Sequence, residues 1–285
     1  MFDLATIVAA SRAAVGPTSS ATGGGGDTVI LWIGCGLMLF GVVCFTYLRL
    51  RKATAASRGF YDKSIMIVAV ATCAYMAMAL GIASIHPQGI APGSPDSMAN
   101  RIYLPRYADW AITTPLLLLD LILFAKPLLN KGWQWDAMIV VGLDVLMIVT
   151  GVVAGLITAP DRWYFFWASN LCFAGVTAYV FTIFAKARRI QEPQVSSRLR
   201  LLTGYLLVLW FVYPIIWALY FGGVMGGTIE DLAYMVLDVL AKVVFGFILL
   251  MGPAVELVDK TPSVAPPDEE SERGTSRVGR VGIAR

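Results

Sequence analysis

Apolar residues in this chain of 285 come in long unbroken blocks separated by short polar stretches. A bilayer core about 30 Å thick needs about 20 such residues per helix. Seven blocks meet that length: Thr28–Leu50, Phe60–Ile85, Ile102–Phe124, Trp135–Ile157, Trp163–Ala185, Leu201–Gly222 and Ile229–Leu257. Membrane strands would need alternation over about 10 residues, so continuous runs predict helices. The pattern therefore predicts an all-α bundle of seven membrane-spanning helices. They form one domain, 28–257, between a flexible lead-in, 1–27, and a disordered, Pro/Ser/Glu/Arg-rich tail, 258–285.

Polar positions between the blocks orient the bundle. One set of loops carries Arg49, Arg51, Lys52, Arg58, Lys63, Lys126, Lys131, Lys186, Arg188, Arg189, Arg198 and Arg200. The other side has Arg12, Arg101, Arg106 and Arg162. Basic residues favour the cytoplasmic side, which predicts an outside N-terminus and a cytoplasmic C-terminus. The first residues lack the basic start of a signal peptide.

Composition agrees: 58% of residues are hydrophobic and 14% charged, against about 25% charged in soluble domains. The net charge of +3 fits loops at a membrane surface and does not call for nucleic acid. Cys35, Cys44, Cys73 and Cys172 fall inside apolar blocks without CxxC spacing, and read as small buried hydrophobes with no metal site.

The informative residues are charges that interrupt the apolar blocks. Lys242 lies mid-way along the last block, with Asp238 one helical turn before it. Such groups cost about 2.5–3.5 kcal/mol each on insertion scales, so they are kept when paired and used. A buried lysine is also the residue that condenses with aldehydes. On the third block, Arg106, Asp109, Thr113 and Asp120 share one face at about 100° per residue, and Asp109 and Asp120 are separated by about 16 Å of rise. Two carboxylates half a membrane apart, with a cation between them on a neighbouring helix, form a layout for proton transfer. Pro115 reads as a tolerated kink.

The motif Arg106-Tyr-Ala-Asp-Trp-Ala-Ile-Thr-Thr-Pro-Leu-Leu-Leu-Leu-Asp120, together with Leu-Asp238-Val-Leu-Ala-Lys242, resembles the microbial (type 1) rhodopsins, in particular bacteriorhodopsin-like outward proton pumps. The resemblance spans all seven blocks. It implies a light-driven ion transporter of the cell membrane, not an enzyme, that carries all-trans retinal on Lys242 as a protonated Schiff base. Asp109 and Asp238 are then counterions, with Asp109 the proton acceptor and Thr113 bonded to it. Asp120 is the cytoplasmic donor, protonated at rest among leucines, and Arg106 and Glu230 lie on the release side.

The same resemblance implies a chromophore box of Trp110, Thr114, Leu117, Asp144, Met147, Gly151, Ser169, Trp210, Tyr213, Pro214 and Trp217, with Tyr75 bonded to Asp238. Trp110 and Trp210 can sandwich a flat polyene. Asp144 is expected to stay protonated and tune colour. Phe166 argues against a second, antenna chromophore. Relatives often assemble as homo-oligomers, trimers among them.

One departure stands out. The family pairs two glutamates on the release side, but the partner of Glu230 falls in Phe221-Gly-Gly223, which has no carboxylate, and Asp231 is expected on a different face. The expected consequence is slower or later release. Asp120 argues against a photosensor with a signalling partner. Asp109 argues against an anion pump. The set Asp109/Thr113/Asp120 argues against a sodium pump. Lys242 argues against a retinal-free receptor or transporter. His86 reads as a solvated loop residue.

Overall fold

The computed structural model describes residues 25–55, 57–85, 101–125, 133–187 and 193–251. The expectations for residues 1–24, His86, Lys126, Lys131, Arg188, Arg189 and the tail lie outside the described residues. The helices are α1 (Gly25–Lys52), α2 (Arg58–Ala79), α3 (Leu104–Ala125), α4 (Trp133–Leu156), α5 (Arg162–Ala187), α6 (Pro193–Phe221) and α7 (Gly227–Asp238). From Asp238 the chain continues as a π-helical turn, Val239–Val244, and then as α8 (Phe245–Leu250), completing the seventh span. Each span packs on the next and the seventh closes back on α1, making a ring. Among the described residues, seven spans are long and apolar enough to cross a membrane. Their outward faces carry large exposed side chains such as Trp32, Phe40, Trp135, Trp167 and Val208, as lipid contact requires.

Two boundaries differ from the sequence pattern for identifiable reasons. The second span stops at Ala79 instead of reaching Ile85. Gly81 adopts φ +71°, Ile82 N–H reaches the Ala77 carbonyl at 2.9 Å and Gly81 N–H reaches that of Met78 at 3.0 Å. This is the hydrogen-bond pattern of a left-handed glycine stop. The apolar residues beyond it form a short strand, β1 (Ser84–Ile85), antiparallel to β2 (Ile102–Tyr103). The sixth span starts earlier than Leu201, at Pro193, where a ring-locked φ suits the first helical position. The lead-in is also shorter than expected, because Asp27 already belongs to α1.

The third and seventh spans are the most enclosed, each with 56% of its apolar window buried inside the protein. Both chemistry-bearing motifs therefore face the middle of the ring. Cys73, expected to be buried, is exposed on the outer face.

Candidate functional site

Lys242 lies in the π-helical turn. There the Phe245 N–H reaches back five residues to the Leu240 carbonyl, which also accepts the Tyr205 hydroxyl at 3.1 Å. Widened turns of this kind recur at functional sites. The buried Lys242 Nζ donates to Asp109 Oδ2 and lies 3.3 Å from Asp238 Oδ1. Burial of a cation between two carboxylates is stable only where each charge is compensated.

The two carboxylates are treated differently. Asp238 is fully saturated: Tyr75 donates to Oδ2 at 2.9 Å, and Tyr213 and Trp110 donate to Oδ1 at 2.9 and 3.1 Å. Tyr75 is seated by Gly34, where any Cβ would fall 2.5 Å from its ring. Asp109 has Oδ1 with no hydrogen-bond partner among the described residues. Thr113 donates to the main-chain carbonyl of Asp109 at 2.8 Å. Both Asp238 oxygens thus already accept hydrogen bonds, whereas Asp109 keeps one oxygen open to a proton.

From Lys242 a cavity runs between α3, α4, α5, α6 and α7, lined by Trp110, Thr114, Leu117, Asp144, Met147, Gly151, Ser169, Trp210, Tyr213, Pro214 and Trp217. Tyr107, Ile148, Phe166, Asn170, Phe173, Tyr234 and Ala241 also line it and were not read from the sequence as members of the box. Phe166 stacks on Trp217 with centroids 4.8 Å apart. Far from Lys242 in sequence, Thr114 Oγ1 lies 2.7 Å from both Asp144 Oδ2 and the Trp110 carbonyl. An apolar, aromatic-walled slot with an amine between carboxylates fits a long polyene aldehyde in shape and chemistry.

Residues 25–254 match the profile of the family described as bacteriorhodopsin-like protein. The chain belongs to that family. Archaerhodopsin-1 of Halorubrum ezzemoulense is 40% identical over 238 residues, covering 81% of this chain and 87% of that protein. Bacteriorhodopsin of a Haloterrigena species is 36% identical, covering 89% and 98%. Among solved structures, thermophilic rhodopsin from Rubrobacter xylanophilus superposes with TM-score 0.73 at 35% identity, covering 82% and 99%. The light-driven proton pump rhodopsin of Coccomyxa subellipsoidea gives 0.70 at 34% identity, covering 80% and 97%. Bacteriorhodopsin-like proteins are integral multi-pass membrane proteins, light-driven transporters and photoreceptors rather than enzymes, and they bind retinal through a lysine Schiff base.

Two residues change the sequence reading. Asp231 does not lie on a different face from Glu230. Arg106 donates to Glu230 Oε1 at 2.8 Å and to Asp231 Oδ1 at 2.5 Å, because a forked guanidinium can reach two acceptors on adjacent residues. Arg101 reaches Asp231 at 3.5 Å and Asp27 at 3.2 Å, and Thr228 donates to Asp27 at 2.5 Å. Tyr103 donates to Asp231 at 3.5 Å; burial and the nearby Asp231 charge push its phenol well up, keeping it a donor. The vicinal acids at the start of the seventh span were the available signal.

The second is Lys63, read as a loop cation. It lies on α2, on the inward stripe with Phe60, Ile67 and Ala71, and its Nζ is 3.2 Å from Asp120 Oδ1. Asp120 is therefore not in purely apolar surroundings.

Proposed function

We propose that this bacteriorhodopsin-like protein is a light-driven outward proton pump, with its N-terminus outside and its C-terminus in the cytoplasm. The observation that carries this reading is the Lys242 amine held between Asp109 and Asp238 at the end of an aromatic-walled cavity. Retinal bound there as a Schiff base supplies light absorption and a light-driven change in where the Lys242 nitrogen directs its proton. Trp110, Trp210, Tyr213, Pro214 and Trp217 hold and orient it.

The chain's own groups then set direction. Asp109, with its free oxygen, accepts the proton leaving the Lys242 nitrogen. Asp238, held by Tyr75, Tyr213 and Trp110, is the fixed counterion. Arg106, turned toward Glu230 and Asp231, passes the charge change outward. Asp120, 11 residues further along α3, returns a proton from the cytoplasmic side. Asp144 acts as a neutral acid: Thr114 has a single hydroxyl hydrogen for two neighbours at 2.7 Å, and an Asp144 O–H donating to Thr114 makes both contacts hydrogen bonds. Moving one charge against 100 mV costs about 2.3 kcal/mol, far less than a visible photon supplies.

Adding all-trans retinal to the apoprotein is expected to produce a visible band; its absence contradicts the reading. Asp120→Asn is expected to slow return of the proton to the Lys242 nitrogen by about a hundredfold, measured by flash photolysis. Unchanged decay rules out the donor role. Asp231→Asn is expected to leave the band in place and to delay, by about tenfold, the proton's appearance at a surface pH dye. An unchanged delay leaves Glu230 as the sole release carboxylate.

A further inference from the structure

The Lys63–Asp120 contact sits at the far end of the route from the cluster around Arg106, and nothing in the family resemblance accounts for a cation there. Lys63 Nζ lies 3.2 Å from Asp120 Oδ1, donates to the Gly59 carbonyl at 2.8 Å and lies 4.8 Å from the centre of the Phe60 ring. Apart from the Lys63 ammonium, neither Asp120 oxygen has a hydrogen-bond partner among the described residues. A buried carboxylate of that kind needs either a proton or a cation, and the cation it has is Lys63. The members differ in access: the Asp120 side chain is 1% exposed and that of Lys63 18%. The neighbouring Arg49–Asp62 pair is a surface pair, with side chains 35% and 49% exposed.

An ammonium–carboxylate pair and an amine–acid pair contain the same hydrogens, with one of them moved from nitrogen to oxygen. Removal from water narrows the gap between the two forms by penalising the charged one.

We propose that Lys63 and Asp120 store one transferable proton between them, and that Lys63 is the port through which it is replaced from the cytoplasmic surface. This rests on the reading of Asp120 as donor. At rest the pair is ammonium and carboxylate. When the Lys242 nitrogen needs its proton back, a Lys63 Nζ–H bond breaks as an Asp120 O–H bond forms. The O–H bond then breaks as its proton moves on toward Lys242. The neutral Lys63 amine takes a proton from surface water, and the starting pair returns. No electron is exchanged. Lys63 is a proton carrier in this scheme, and its side-chain stem spans from the buried acid to the surface.

The test compares wild type, Lys63→Met, Lys63→Arg and Asp120→Asn, each loaded with all-trans retinal and each checked for the visible band. Infrared spectroscopy of the dark state reads the carboxylic-acid C=O stretch of Asp120, assigned by its loss in Asp120→Asn. Flash photolysis reads return of the proton to Lys242. The wild type is expected to show no Asp120 acid band at rest. Lys63→Met is expected to show one, because the lone carboxyl takes up a proton. Lys63→Arg keeps the charge but cannot release a proton. It is expected to lack the acid band and yet to slow the return by at least about tenfold, whereas Lys63→Met, with a proton already on Asp120, returns it without that delay and is slowed in the refilling of Asp120.

An acid band in the dark wild type, or wild-type kinetics in Lys63→Arg, overturns the proposal. If Asp120→Asn leaves the kinetics unchanged, the donor reading itself fails. If Asp120→Asn slows them and Lys63→Arg does not, only the stored pair fails.

Discussion

Lys242→Ala is expected to remove the visible band altogether, however much all-trans retinal is added. Position 242 supplies the amine that the cavity and both carboxylates surround, and alanine has no nitrogen to offer. The loss is all-or-none. The change also leaves Asp109 and Asp238 buried without their cation, a defect of about 3–5 kcal/mol, so far-ultraviolet circular dichroism must show that the colourless protein is still helical. Borohydride reduction of the wild type gives the positive form of the same test. Hydride reduces the C=N linkage to an amine, and the retinal mass is expected on the peptide that contains Lys242. A coloured Lys242→Ala protein, or retinal mass on another peptide, contradicts the attachment.

Asp109→Asn is expected to abolish proton transport and move absorption to longer wavelength. A carboxylate beside the Lys242 nitrogen localises positive charge there in the ground state, which widens the excitation gap. An amide removes that field and narrows it. Asp238 stays in place, saturated by its three donors, so the band survives while the acceptor is lost. Acidifying the wild type until Asp109 takes up a proton is expected to shift the band in the same direction. An Asp109→Asn protein that still acidifies its medium in light contradicts the acceptor role.

The fold was legible because the membrane imposes one strong rule. Block length alone located all seven spans, since backbone groups in hydrocarbon must be satisfied within the helix. Lys242, Asp238, Asp109 and Asp120 were legible for the matching reason: ionisable residues in such blocks are rare and costly. The π-helical turn at Val239–Val244 was not legible, because a shift from four- to five-residue hydrogen bonding leaves the apolar pattern unchanged. The glycine stop at Gly81 was obscured by the apolar residues that follow it into β1.

Asp231 was misread because its face was judged by position along the helix alone, and Lys63 because a basic residue at the edge of an apolar block was counted with the loop. A forked guanidinium bridges adjacent acids, and a lysine stem reaches inward from near a helix end as readily as outward. Asp27 and Arg101, outside the motifs, could be joined to the cluster around Arg106 only by tertiary structure.

The most direct test of outward proton pumping is the pH of a weakly buffered suspension of cells that express the protein and are supplied with all-trans retinal. Illumination is expected to acidify the medium, the change relaxing in the dark and vanishing with a protonophore. A suspension that stays at constant pH, or turns alkaline in light, contradicts it.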